Sequence, residues 1–186
     1  MAASLDKILV IDLEGTCDEP KPAPFELEII EIGLVIVDPR NRKILDKVQS
    51  FVRPSQSWVT PFCTQLTGIT KDDLTVGNGA RSFPEAINWL KKFGTKNKVW
   101  ASWGDYDRTM FERQCKREGV EYPFGPSHIN IKTLFGLFEG LDRGIGTKEA
   151  VEYYNLEWYG SHHRGMDDAV NIANVFLEML RRHDKP

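Results

Sequence analysis

The segment Lys7–Leu13, KILVIDL, constrains the chain more than any other. It is a short, almost unbroken apolar run closed by Glu14 and Gly15. Such a run predicts a strand buried on both faces, which needs a sheet covered on both sides. Asp12 and Glu14 lie two apart at its end, so their side chains share one face of that strand. Two carboxylates held side by side repel each other and lose hydration, a cost that a divalent cation with oxygen ligands removes. An Asp-x-Glu pair alone is also found on many solvated strand ends.

The remaining pattern predicts an α/β domain with a mixed sheet. Glu28–Val37 and Lys43–Val52 read as further strands, joined by the turn signal Asp38-Pro39-Arg40-Asn41, and residues 97–102 as a fourth strand. A fifth strand is expected without a clear segment to carry it. The three prolines within Asp18–Phe25 predict an irregular loop. Helices are expected over Pro61–Leu66, from Thr70, after the Ser82-Phe-Pro-Glu85 capping box, over Tyr106–Glu118 ending at Gly119, over Ile129–Phe138, over Thr147–Tyr154 with Thr147 as cap, and over Gly165–Arg182.

Two of these helices bring further candidates. Asp107 opens the helix after the fourth strand and shares a face with Met110, Phe111 and Gln114, so it turns inward, while Asp105 is the expected cap. Asp168 opens the last helix with Ile172 four residues on, which places it toward the core, and Asp167 is expected to face outward. His163 lies five residues before Asp168 on the preceding loop, and an imidazole with an ordinary pKa of about 6.5 can accept a proton from water near neutrality. The plainer alternatives are a helix cap for Asp107 and a surface loop for His162-His163-Arg164.

The size of 186 residues predicts one domain, 1–186 with a core over about 7–181, able to bury its apolar surface without disulfides. Three cysteines with no CxxC pair point to free thiols. With no membrane-spanning run and no signal-peptide pattern at Met1–Asp6, a cytoplasmic location is expected. The net charge of −3 argues against a protein that grips long duplexes through many phosphates. It leaves room for an enzyme that meets phosphate through metals.

Taken in order, Asp12-x-Glu14, Asp107 at a strand-to-helix junction and His163-x-x-x-x-Asp168 resemble the signature of DEDDh 3′–5′ exonucleases, members of the RNase H-like superfamily. Asp12-Leu-Glu-Gly-Thr-Cys17, Glu28-Ile-Ile-Glu-Ile, Phe51-Val-Arg-Pro54, Phe62 to Thr70, Ser82-Phe-Pro84, Ser102 to Asp107 and Ile129-Asn-Ile131 look like the histone-mRNA and small-RNA 3′-exonuclease branch, and its bacterial single-domain relatives described as sporulation-kinase inhibitors look much the same. The resemblance covers nearly the whole chain. It implies an RNase H-like fold with a five-stranded mixed sheet flanked by helices. It also implies two Mg²⁺ or Mn²⁺ ions, one held by Asp12, Glu14 and Asp168 and the other supported by Asp107 and Asp12, with His163 as general base. Phe62 and Tyr106 would stack the terminal base, and Leu13 and Thr16 would meet the terminal sugar through backbone groups. The implied partners are single-stranded RNA or DNA 3′ ends, RNA before DNA, with a nucleoside 5′-monophosphate as product. The alternative is a catalytically weak member of the fold that regulates a protein partner. Members of the branch that bind histone stem-loops carry an additional N-terminal RNA-binding domain, which the residues before Lys7 do not supply, so hairpin recognition is not expected. Tyr106 stands where several relatives have Trp.

Overall fold

The computed structural model describes residues 4–183; the expected domain span of 1–186 and the N-terminal stretch reach beyond these limits at residues 1–3 and 184–186. The strands are β1 (Ser4–Gly15), β2 (Ile29–Asp38), β3 (Lys43–Phe51), β4 (Lys98–Ser102) and β5 (His128–Asn130). They form one sheet in the order β3-β2-β1-β4-β5. β1, β2 and β3 pair antiparallel, while β4 and β5 join β1 in parallel. The helices are α1 (Pro61–Thr67), α2 (Phe83–Lys91), α3 (Tyr106–Glu118), α4 (Ile131–Phe138), α5 (Thr147–Tyr153) and α6 (Gly165–Arg182). This is the mixed five-stranded α/β fold expected from the sequence.

β1 runs through the middle and alternates its apolar residues between two cores. Ile8 and Val10 pack with Val35, Val37, Val99 and Ala101 beneath α4, α5 and α6. Leu9, Ile11 and Leu13 pack with Ile32, Leu34 and Trp100 beneath α2 and α3. Asp12 and Glu14 continue the first series, so both emerge on the α6 side of the sheet. Capping fixes the helices locally. The Glu85 carboxylate accepts the Ser82 N–H and hydroxyl at the start of α2, and Gly119 ends α3 in a left-handed conformation.

Four local expectations are corrected. The fifth strand is His128–Asn130, which takes the position read as a helix start; Asn130 then caps α4 by accepting the Thr133 N–H. Three residues are too few to show strand periodicity. Thr70–Asp73 forms no helix, because the Asp73 carboxylate takes the Thr70 N–H and hydroxyl and closes a turn. Gly146, not Thr147, precedes α5 and donates its N–H to Glu149. Asp105 stands at the α3 N-cap, but its carboxylate meets Arg108 and Asn130 instead of helix N–H groups.

α6 lies unusually close to β2. A Cβ added to Gly33 would stand 2.0 Å from the Gly165 carbonyl oxygen, and one on Gly165 3.2 Å from the Asp12 carbonyl oxygen. Both contacts are with backbone, which cannot swing away. Gly33→Ala is therefore expected to lose at least ~2 kcal/mol, as overpacked core sites do. Thermal melting against wild type checks this, and an unchanged melting temperature would refute the tight crossing.

Candidate active site

Three elements meet at the C-terminal end of β1. One carboxylate oxygen from each of Asp12, Glu14 and Asp168 lies within 4.8 Å of the other two. Asp107 joins them from the first turn of α3, where its Oδ1 accepts the Leu13 N–H at 3.0 Å. Sequence reasoning expected these four acids together, and the fold brings them together. It also explains the inward turn of Asp107 and Asp168, which are 5% and 7% exposed.

Such crowding has a direct electrostatic effect. Burial, then the charges of Asp168, Glu31 and Asp107, push Glu14 up to about 8. Burial pushes Asp168 up to about 7, although the His163 N–H pulls the other way. Burial likewise raises Asp107 to about 7 against hydrogen bonds from backbone N–H groups and Ser102. Asp12 is raised as well, by burial and by Asp107, Glu14, Asp168 and Glu31. Each of these carboxyls holds its proton more tightly than an ordinary one, and Glu14 keeps its proton at neutral pH unless a cation replaces it.

The donor set suits hard divalent cations. It consists of carboxylate oxygens, and Asp168 Oδ1 is buried with no hydrogen-bond partner among the described residues. A cation would satisfy that oxygen and relieve the mutual repulsion. Asp12, Glu14, Asp168 and Asp107 are the residues able to hold Mg²⁺ or Mn²⁺.

His163 sits beside this group in a left-handed backbone conformation with φ of 61°. Its N–H donates to Asp168 Oδ2 at 2.9 Å, which ties the loop to α6. His162 is stacked on it at 3.9 Å, and ring nitrogens of both lie within 4.8 Å of an Asp168 oxygen. Burial and the neighbouring His162 lower the His163 pKa, so its ring is neutral and able to accept a proton near pH 7.

Phe62 is half-buried at the start of α1 and belongs to none of the buried apolar clusters of the described residues. Tyr106 is 57% exposed. The two helix starts adjoin at Gly15: Cys63 Sγ is 3.7 Å from its carbonyl oxygen, and Tyr106 Oη is 3.7 Å from where its Cβ would be. The expected backbone contacts of Leu13 and Thr16 are narrower than supposed. The Leu13 N–H is taken by Asp107 and the Thr16 N–H by the Glu28 carbonyl. The Thr16 hydroxyl accepts the Glu28 N–H and meets Ser57 Oγ. Ligand contact by these two residues falls to their other atoms.

Sequence reasoning missed Glu31 and Glu28. Glu31 is fully buried opposite Glu14 in the β1–β2 register. Its Oε2 accepts the Gly165 N–H at 3.0 Å and Arg164 Nε at 3.2 Å, while Oε1 has no partner. Arg164 is thus paired inside the site, with its guanidinium over Phe51, and is not part of a merely solvated surface loop. Asp167 is not merely solvated either, since it accepts the Ser161 N–H and holds the loop. Glu28 receives the N–H groups of Ser55, Gln56 and Ser57 and the hydroxyls of Ser55 and Ser57. Burial pushes Glu28 up, yet these donors outweigh it and draw its pKa down to about 2. The clue to both residues was a charge inside an apolar strand, which has to find a partner.

Residues 9–176 match the exonuclease family of the RNase T type. The chain belongs to that family. It is 36% identical over 188 residues to 3′-5′ exoribonuclease 1 of Rattus norvegicus, covering 95% of this chain and 53% of that protein. It is 28% identical over 174 residues to the probable 3′-5′ exonuclease KapD of Bacillus subtilis, covering 92% and 83%. The nuclease domain of 3′hExo, a DEDDh family member solved bound to rAMP, superposes with a TM-score of 0.86 at 30% identity, covering 98% of this chain and 96% of that one. The chain spans about half the length of the mammalian relatives it matches. No helix among the described residues is long and apolar enough to cross a membrane.

The raised carboxyl pKa values give a signed prediction for the metal-free exonuclease domain. Between an unfolded value near 4 and folded values of about 7 to 8 the folded state binds more protons, so stability falls as pH rises through that window. Melting in a chelator from pH 5 to pH 9 should show this decline, and Mn²⁺ should abolish it at the alkaline end. A melting temperature that climbs with pH in the chelator contradicts the arrangement.

Proposed function

We propose that this exonuclease-family chain removes nucleotides one at a time from the 3′ end of single-stranded nucleic acid, RNA in preference to DNA, releasing nucleoside 5′-monophosphates. The observation that carries the reading is the convergence of Asp12, Glu14 and Asp168 within 4.8 Å, with Asp107 and His163 alongside. RNA is favoured because relatives such as the rat protein are exoribonucleases by name. The rAMP bound to 3′hExo agrees in kind with a monophosphate product.

A pair of divalent cations would supply charge neutralisation of the scissile phosphate and of the leaving oxygen. The chain's own residues do the rest. Asp12, Glu14 and Asp168 would hold one cation, and Asp107 with Asp12 would support the other. His163, neutral near pH 7, takes the proton of the attacking water. Its left-handed backbone and the bond to Asp168 keep the imidazole at the edge of the carboxylate group. Phe62 and Tyr106 offer ring faces to the terminal base, a contact every base can make. This also explains why an acidic protein can act on a polyanion: contact is confined to a strand end.

A regulatory protein that had abandoned catalysis would have no use for four carboxyls kept in a state that destabilises the metal-free fold. The decisive assay is shortening of a 5′-labelled single-stranded RNA with Mn²⁺, run beside the same sequence in DNA. Wild type should shorten RNA faster, and Asp12→Asn should be inert. His163→Ala should slow turnover about 10²- to 10⁴-fold while Mn²⁺ binding persists. Equal inertness of wild type and Asp12→Asn across both metals and both polymers refutes the enzyme; faster digestion of DNA refutes the substrate.

Phe62→Ala should act on substrate affinity instead, raising KM by about tenfold, as loss of one stacking contact predicts. Steady-state kinetics with a short RNA separate the two effects, and an unchanged KM would remove Phe62 from the binding surface.

A further inference from the structure

Glu31 is a further acid beside the four that converge at the end of β1. It is fully buried on β2, directly opposite Glu14. Opposite residues of an antiparallel pair present their side chains on one face, and like charges placed so repel. Glu31 and Glu14 therefore both stand on the α6 side of the sheet. A Cβ added to Gly165 would lie 3.4 Å from Glu31 Cγ, so the glutamate sits directly beneath the start of that helix. Burial is the main reason that Asp12, Glu14 and Asp168 hold their protons tightly, and the charge of Glu31 adds to it for each of them.

The two oxygens of Glu31 are treated differently. Oε2 accepts the Gly165 N–H at 3.0 Å and Arg164 Nε at 3.2 Å, which fixes the carboxylate in one orientation. Oε1 is buried and has no hydrogen-bond partner among the described residues. Asp168 Oδ1 is in the same condition, and these are the two carboxylate oxygens so stranded among the described residues. Both belong to acids that flank Glu14. A buried acceptor left without a donor is costly, so protein interiors supply one. Asp168 Oδ1 can be met by a cation directly, since Asp168 belongs to the group whose oxygens lie within 4.8 Å of one another. Glu31 is not a member of that group, which puts it one water away from the same ion.

We propose that Glu31 is a positioning residue that holds the hydration shell of the divalent cation between Glu14 and Asp168, with Oε1 as the acceptor. Mg²⁺ keeps several of its waters when protein carboxylates bind it, and those waters need acceptors of their own. Arg164 and the Gly165 N–H aim the carboxylate, and its free oxygen does the holding. The inference rests on the metal site of the exonuclease reading. It gives the strand acid a task beyond anchoring α6.

The test is Mg²⁺ and Mn²⁺ binding by calorimetry to the metal-free chain, on wild type, Glu31→Gln and Glu31→Asp. In Glu31→Gln the amide oxygen can still accept from Gly165 and Arg164, which leaves an NH₂ donor in the place of Oε1. Mg²⁺ gives up its waters reluctantly, so losing an outer acceptor should weaken Mg²⁺ about tenfold, within the range that outer partners of metal ligands carry, and Mn²⁺ by less. If Glu31→Gln does not fold, Glu31→Asp, which keeps the charge but draws the oxygens back by one methylene, should show the same preferential loss of Mg²⁺ and decides the matter. Equal weakening of the two ions would make Glu31 a strut for α6 and nothing more, and overturns the inference. Wild-type affinity for both ions in the folded variant overturns it as well. Wild type that binds neither ion overturns the exonuclease reading and this inference with it.

Discussion

The close crossing of α6 over β2 is the constraint on which the site depends. Gly33 and Gly165 let the two backbones meet with no side chain between them. That contact sets Asp168 above the pair on β1, and Glu31 secures it by accepting the Gly165 N–H from below. Any residue with a Cβ at Gly33 would lift the helix and with it one wall of the pocket. The carboxylates are brought together by backbone geometry, not by attraction, since among themselves they only repel.

Repulsion at the centre is balanced by restraint around it. Asp107 is gripped by the Leu13 N–H, Asp168 by the His163 N–H, and Glu31 by Arg164 and the start of α6. Glu28, just before β2, shows the opposite solution to the same problem. Five donors from residues 55 to 57 satisfy it within the protein, so it needs no ion. Two kinds of buried acid thus stand close together: one sealed by hydrogen bonds, the other left with an unpaired oxygen. The sealed acid ties the segment before α1 to the sheet, and α1 carries Phe62.

Much of this was legible in the sequence. The spacing of Asp12 and Glu14 on an apolar strand placed both on one face, and the apolar partners of Asp107 and Asp168 turned them inward. The α6 boundaries and the Gly119 stop of α3 followed from capping and periodicity. What stayed hidden depended on contacts between distant segments. Nothing local distinguishes Glu31 from any acid in a strand until the helix 134 residues later is seen to meet it. Ser102 read only as the end of a strand and His128 lay in no expected element, because their bond spans β4 and β5. β5 itself is held by its neighbour more than by its own composition. Arg164 looked solvated because its partner is equally remote.

The way the acids are distributed along the chain carries a consequence for biosynthesis. Asp12 and Glu14 emerge early, Asp107 joins through a contact 94 residues away from Leu13, and the segment bearing His163 and Asp168 arrives later still. A polypeptide broken off between Asp107 and His163 has neither the fourth carboxylate nor the imidazole. Interrupted translation therefore yields fragments without the complete acidic set, and the pocket is assembled only when the α6 segment has docked.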